Sequence, residues 1–185
     1  MSGASPFLLQ RLAPLREAAR LGPIVDLACG RGRHALGLAE AGFDCLGLDR
    51  NAEFLRELRG RAEAAPGRVD TVRCDLEGEG LIPLKPGCCG AILVFRFLFR
   101  PLAPAIERAL APGGLLLYET FTRDQPAHGW GPKRPEFLLE PAELPRLFPG
   151  LEVLHHDEDP TTEPRPEASA RLFARRPAAP SVGSA

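Results

Sequence analysis

The stretch VDLACGRGRH, residues 25 to 34, runs from an apolar strand end through two glycines and two arginines into a helix start. Ile24 to Ala28 is a short apolar run, and Arg33 to Ala41 changes to helical spacing with Ala35, Leu38 and Ala39 on one face. GRGRH is therefore a strand-to-helix turn, in which Gly30 and Gly32 free the main chain to approach a ligand or adopt positive φ. The same residues also satisfy G-x-G-x-x-G/A as GRGRHA, so the turn alone leaves a dinucleotide open.

The alternation continues outward. Phe43 to Leu48 reads as a second strand ending at Asp49, Asn51 as the N-cap of a helix reaching about Ala64, and Val69 to Cys74 as a third strand. DLEGEGLIPLKPG has too many turn residues for a full crossover helix and predicts a loop or reduced helix. GAILVF reads as the central buried strand, with Cys88 and Cys89 at its start. Pro104 to Leu110 predicts a helix, APGG a turn, and Leu115 to Thr120 a fifth strand. Before the first strand, residues 6 to 20 suggest a short amphipathic helix carrying Phe7, Leu8, Leu12 and Leu15, broken or started near Pro14. Phe121 to Pro135 is loop-like, and its length suits a lid. Glu140 to Phe148 reads as a helix despite Pro141 and Pro145. Leu151 to His155 and Ala168 to Ala174, joined by a polar, proline-rich loop that is expected to fray, form an antiparallel hairpin at one edge. The expected fold is α/β, doubly wound, a mostly parallel seven-stranded sheet ending in that hairpin. One domain spans residues 1 to 176, with 177 to 185 a disordered tail.

The 185 residues, 44% apolar, suffice for one core and are too few for two ordinary domains. A formal charge of −1 from 23 basic and 24 acidic residues gives no whole-molecule attraction to nucleic acid or anionic lipid. Five cysteines without a C-x-x-C pair fit a reducing compartment. No apolar run approaches a membrane span, and the start lacks a signal-peptide pattern, so a cytoplasmic, soluble protein is expected, with no membrane partner.

In an open α/β sheet the first strand-to-helix turn lines the ligand crevice. Asp26, four residues before Gly30, would repel a pyrophosphate there unless pointed away, and would welcome a cationic group. Asp49, 23 residues after Asp26, ends the second strand where a carboxylate accepts from ribose hydroxyls. Asp75 follows the third strand and can accept from the exocyclic amine of adenine. An ammonium group, a ribose and an adenine without phosphate describe S-adenosylmethionine. Each carboxylate also has a plainer role: Asp26 capping the turn, Asp49 capping the next helix, Asp75 serving a turn.

On these residues the chain resembles the class I S-adenosylmethionine-dependent methyltransferases, over roughly residues 20 to 176. DLACGRG is similar to their D-x-x-x-G-x-G first motif and GLDRN to their ribose-binding second motif. FRFLFRPL, APGGLLLYETFT and the GP–RPEFLLEPAEL segment resemble the small bacterial tellurite-resistance, TehB-like group. The resemblance implies a Rossmann-like sheet, S-adenosylmethionine as cofactor and methyl transfer. It places Gly30 and Gly32 against the methionine part, Asp49 on the ribose, and Asp75 with Leu76 beside the adenine. Asp26, Ala28, Arg50 and Phe95 complete the implied cofactor set, and Arg96 to Arg100 would run past the sulfonium. Two departures stand out: Ala91 replaces a frequent acidic residue, and the N/D-P-P-Y/F motif of nucleic-acid amino methylases is missing, which argues against a nucleic-acid substrate.

Three residues are candidates for catalysis: His34 at the helix start, Arg100, and Glu119 pulled inward as an acceptor. Arg96 and Arg100 bracket the fourth-strand end, and two guanidiniums near a sulfonium make sense only with an anionic substrate. Tyr118, Arg123 and His128 lie nearby, and Trp130 could close over an apolar or cationic substrate. Cys29 reads as packing, and HHDED at 155 to 159 cannot converge on a metal because strand neighbours face opposite ways. The expected activity is in-line methyl transfer to a small molecule. The rivals are a nicotinamide-dependent reductase and a non-catalytic S-adenosylmethionine-binding module.

Overall fold

The strands are β1 (Ile24–Leu27), β2 (Cys45–Asp49), β3 (Val69–Arg73), β4 (Cys89–Phe95), β5 (Leu110–Phe121), β6 (Glu152–Asp157) and β7 (Ser169–Arg175) in a computed structural model that describes residues 3–78, 82–160 and 165–178. They form one sheet in the order β3-β2-β1-β4-β5-β7-β6. β1 to β5 pair in parallel, and β7 runs antiparallel to both β5 and β6. The chain order reverses between β1 and β4, so the topological switch point lies beyond their carboxyl ends. The Rossmann-like, doubly wound sheet with its terminal hairpin is thus observed as expected.

Both faces of the sheet are covered. In β4, Ala91, Leu93 and Phe95 pack on one side with α1 (Pro6–Leu9), α2 (Leu12–Ala18), α3 (Arg33–Glu40) and α4 (Ala52–Ala62). Ile92 and Val94 pack on the other with α5 (Ala103–Ala109) and α6 (Glu143–Arg146). Every residue of β4 is buried, as a central parallel strand requires. The Asn51 side chain caps α4 by accepting from the Glu53 and Phe54 amides.

Three expectations change. The single amphipathic helix over residues 6 to 20 is two short helices, with Pro14 in the first turn of the second, where its missing amide costs nothing. The APGG turn lies inside β5: Leu110 pairs with Cys89 and Leu115 with Ala91, so the extra residues bulge out, with Gly113 at φ +82°. The helix expected over Glu140 to Phe148 shrinks to four residues, because Pro141 and Pro145 offer no amide and Ala142 is left-handed at φ +53°. The crossover from β3 to β4 carries no helix among the described residues. Residues 79–81, 161–164 and 179–185, which include parts of the expected loops and most of the expected tail, lie outside the described residues.

Candidate active site

A cavity of about 340 Å³ opens at the switch point. Its walls include Ala28 after β1, Asp49 and Arg50 at the end of β2, Asp75 and Leu76 after β3, and Arg96 with Phe97 after β4. Ala28 and Arg96 both hold left-handed backbones, φ +53° and +56°. Such conformations cost non-glycine residues roughly 1–3 kcal/mol, and here they turn the chain sharply out of the two strands that flank the crevice.

Asp49 is the most completely engaged of the expected carboxylates. Its Oδ2 accepts from the Gly30 amide and its Oδ1 from the Asn51 amide, both at 2.8 Å. It thereby ties the glycine turn to β2 and leaves the helix cap to Asn51. Asp75 Oδ1 accepts from the Glu77 amide at 3.0 Å. Leu76 is buried beside it. Arg50 pairs with Glu77 at 2.7 Å on the same wall.

Asp26 sits differently. It is buried within β1, its Oδ2 accepts from the Ala35 amide at 3.2 Å, and it is not part of the cavity wall. Burial pushes its carboxyl up to about 7, against the Ala35 hydrogen bond and the Arg33 charge. Gly32, at φ +74°, turns its bare Cα toward α4: a Cβ would stand 2.3 Å from Leu58 Cδ1. Helix packing accounts for that glycine here, whereas Gly30 has open space where its Cβ would be. Neither glycine is among the residues lining the cavity.

His34 is buried and stacks on Phe95, ring centroids 3.8 Å apart, and its Nε2 has no hydrogen-bond partner among the described residues. Burial, with Arg33 and Arg96 nearby, pushes the imidazole down to about 2, so it is neutral at physiological pH. Neither ring reaches the cavity wall. Cys29 is buried against Gly47 and its thiol is pushed up by burial, so it is packing and no nucleophile.

Arg100 is paired within the fold. Its Nε and Nη2 bond both oxygens of Glu143, at 2.6 and 2.9 Å, and two further donors reach the Glu136 and Leu138 carbonyls. This side chain clamps the 136–143 segment to the end of β4, with four of its five N–H donors and its charge engaged there. Arg123 pairs with Glu140, and the Tyr118 hydroxyl donates to the Phe97 carbonyl at 3.0 Å. Trp130 Nε1 donates to the Pro166 carbonyl, and its ring already carries the Arg165 guanidinium at 3.4 Å and that of Arg96 at 5.4 Å. His128 is exposed.

A second cavity, of about 630 Å³, adjoins the first, and Arg96 belongs to both walls. It lies between α1, the start of α3 and the β6–β7 hairpin, with Arg33, Glu119, Glu167 and Arg171 on its wall. Glu119 is buried there, accepting from Ser5 Oγ at 2.7 Å, and burial raises its pKa. Arg96 pairs with Glu167 at 2.7 Å. The sequence reading missed Phe54, Phe97 and Arg33 as wall residues. Phe54 had a signal, since it stands in the first turn after the Asn51 cap and so at the ligand end of α4.

Residues 24–114 match a family described as methyltransferase domain. None of the curated proteins matches the chain by sequence. Among solved structures, TehB from Haemophilus influenzae superposes with a TM-score of 0.68 at 20% identity, over 89% of this chain and 61% of its own. The chain thus spans less than two thirds of that relative. S-adenosylmethionine-dependent methyltransferases from Methanosarcina mazei (TM-score 0.68, 17% identity, 95% of this chain and 99% of theirs) and Mesorhizobium loti (0.66, 19%, 90% and 97%) share the same fold. Residues 24–114 thus match a methyltransferase domain, and the whole sheet has the fold of S-adenosylmethionine-dependent methyltransferases.

Proposed function

We propose that the chain transfers the methyl group of S-adenosylmethionine to a small-molecule acceptor by in-line displacement. The supporting observation is the charge pattern of the switch-point cavity: Asp49 and Asp75 present carboxylate oxygens, whereas both wall guanidiniums are paired, Arg50 with Glu77 and Arg96 with Glu167. That set suits hydroxyls, an amine and a positive sulfur, and offers a pyrophosphate no free cation.

After the two backbone bonds it accepts, each oxygen of Asp49 keeps a lone pair for a ribose hydroxyl. Asp75 keeps Oδ2 for the adenine amine, and Phe54 and Leu76 give the base apolar walls. When bound, the cofactor supplies a methyl on positive sulfur, which a lone pair of the acceptor attacks from the far side. The protein's share is alignment and exclusion of water. Arg96, common to both cavities, marks where cofactor and acceptor meet, and the limited volume of the second cavity, about 630 Å³, favours a small acceptor.

Calorimetry with S-adenosylmethionine, S-adenosylhomocysteine and NADH tests the cofactor. Both adenosyl compounds are expected to bind, and Asp49→Ala to weaken them roughly tenfold or more by removing charge-assisted hydrogen bonds. Heat with NADH alone overturns the reading. Methyl-labelled cofactor with a cell extract tests the acceptor: label is expected in the dialysable fraction, and label only in macromolecules contradicts a small substrate.

A further inference from the structure

We propose that the second cavity is the acceptor site and selects a small molecule carrying a carboxylate, with Arg33 as the specificity-determining residue. This rests on the methyl-transfer reading above and adds the substrate class.

The inference starts from charge pairing. Four guanidiniums line the cavity, those of Arg11, Arg33, Arg96 and Arg171. Three are engaged. Arg11 donates to the Phe7 carbonyl at 2.8 Å and lies over the Phe7 ring. Arg96 holds Glu167, and Arg171 pairs with Asp157 and approaches Glu119 at 3.7 Å. Arg33 makes no hydrogen bond or ion pair among the described residues, although its side chain is half-buried.

Three effects work against an unpaired guanidinium at this place. Burial strips water from it, and Arg96 repels it; both lower its pKa. It is also the first residue of α3, an eight-residue helix whose N-terminal end is the positive pole. Glu119, Glu167 and, more weakly, Asp26 attract it at a distance, but each glutamate already serves another cation. An anion seated beside Arg33 removes all three penalties at once. A carboxylate matches a guanidinium fork in plane and spacing. The neighbouring Ala4, Pro6 and Phe7 give its organic body an apolar surface.

A carboxylate has two sources, the acceptor and the amino-acid end of the cofactor. Position favours the acceptor, because Arg33 lines the second cavity and is no part of the first. Arg100 then drops out of anion recognition, and Arg33 takes that place.

Calorimetry on the full chain saturated with S-adenosylhomocysteine tests this, using benzoate and its neutral isostere benzamide. Wild type is expected to bind benzoate and to bind benzamide at least roughly tenfold more weakly, as loss of a charge-assisted pair implies. Arg33→Gln is expected to lose the preference for benzoate while keeping its affinity for S-adenosylhomocysteine. Because Arg33 makes no hydrogen bond or ion pair among the described residues, Arg33→Gln should melt no lower than wild type, which separates the effect from misfolding. Glu167→Gln, which frees Arg96, is expected to tighten benzoate. Equal binding of the two probes, no benzoate binding by wild type, or an Arg33→Gln protein weakened only toward S-adenosylhomocysteine overturns the proposal. Failure of wild type to bind S-adenosylhomocysteine at all would instead sink the methyl-transfer reading beneath it.

Discussion

Asp26 and Asp49 are both aspartates at neighbouring strand ends, yet they differ in what surrounds them. Asp49 stands at the cavity wall with two backbone amides and spare lone pairs. Asp26 is enclosed, with one amide at 3.2 Å and Asp49 itself raising its pKa further. Its carboxyl is raised from 3.8 to about 7 in the fold, so the protonated form is the stabilised one. The stability from this group is complete below about pH 4, falls as pH rises toward about 7, and is flat above that. At about 1.4 kcal/mol per unit, the fall amounts to at most ~4 kcal/mol. Asp26→Asn keeps an acceptor for the Ala35 amide and removes the titration. Its stability relative to wild type is therefore expected to climb between about pH 4 and about pH 7. Urea unfolding of both proteins across that range measures the difference, and a difference independent of pH contradicts the assignment. The difference also cancels His34, whose lowered pKa gives both proteins the opposite slope below its ordinary range.

Among the elements, α3 and α4 show how the glycine turn serves packing as well as ligand access. Gly32 lets Leu58 of α4 close against the turn, and Leu58 is fully buried. Gly32→Ala adds a Cβ into Leu58 and a side chain at φ +74°, so a loss of about 2–3 kcal/mol is expected. Leu58→Ala should open that space, and the double variant is expected to lose less than the two single losses added. Denaturant midpoints of the four proteins check this, and strict additivity would show that the glycine is needed for its backbone alone. The helices α3 and α4 were legible in the sequence because Gly42 and the Asn51 cap act within a turn of themselves. The short α6 was not: Glu143, inside it, is held by Arg100 from 43 positions away and also accepts from the Glu140 amide. The lid expected over Phe121 to Pro135 is cross-braced, with fully buried Gln125 donating to the Trp130 carbonyl and accepting from the Ala168 amide.

In the molecule as a whole, the N-terminal helices and the C-terminal hairpin meet over the second cavity. Ser5 donates to Glu119 across 114 residues and caps α1 through the Phe7 amide at 3.2 Å. Ser5→Ala leaves a buried carboxylate short of one donor, and a loss of about 1–3 kcal/mol is expected. Amide exchange of residues 7 to 10 should quicken in that variant, and unchanged exchange would show that the tether does not hold α1. The sequence by itself determined the alternating α/β order, the acidic strand ends and the antiparallel closing hairpin. Those are written in apolar periods of two and about 3.6 and in turn residues that act on their neighbours. Only the tertiary structure decided which carboxylate reaches a cavity and which cavity-lining arginine makes no hydrogen bond or ion pair among the described residues. Arg96, Arg100 and Arg33 look alike in the chain, but Glu167 and Glu143 pair with the first two from 71 and 43 positions away. Charge pairing depends on a few ångströms between groups the fold brings together, and that distance is set by the whole sheet and not by local sequence.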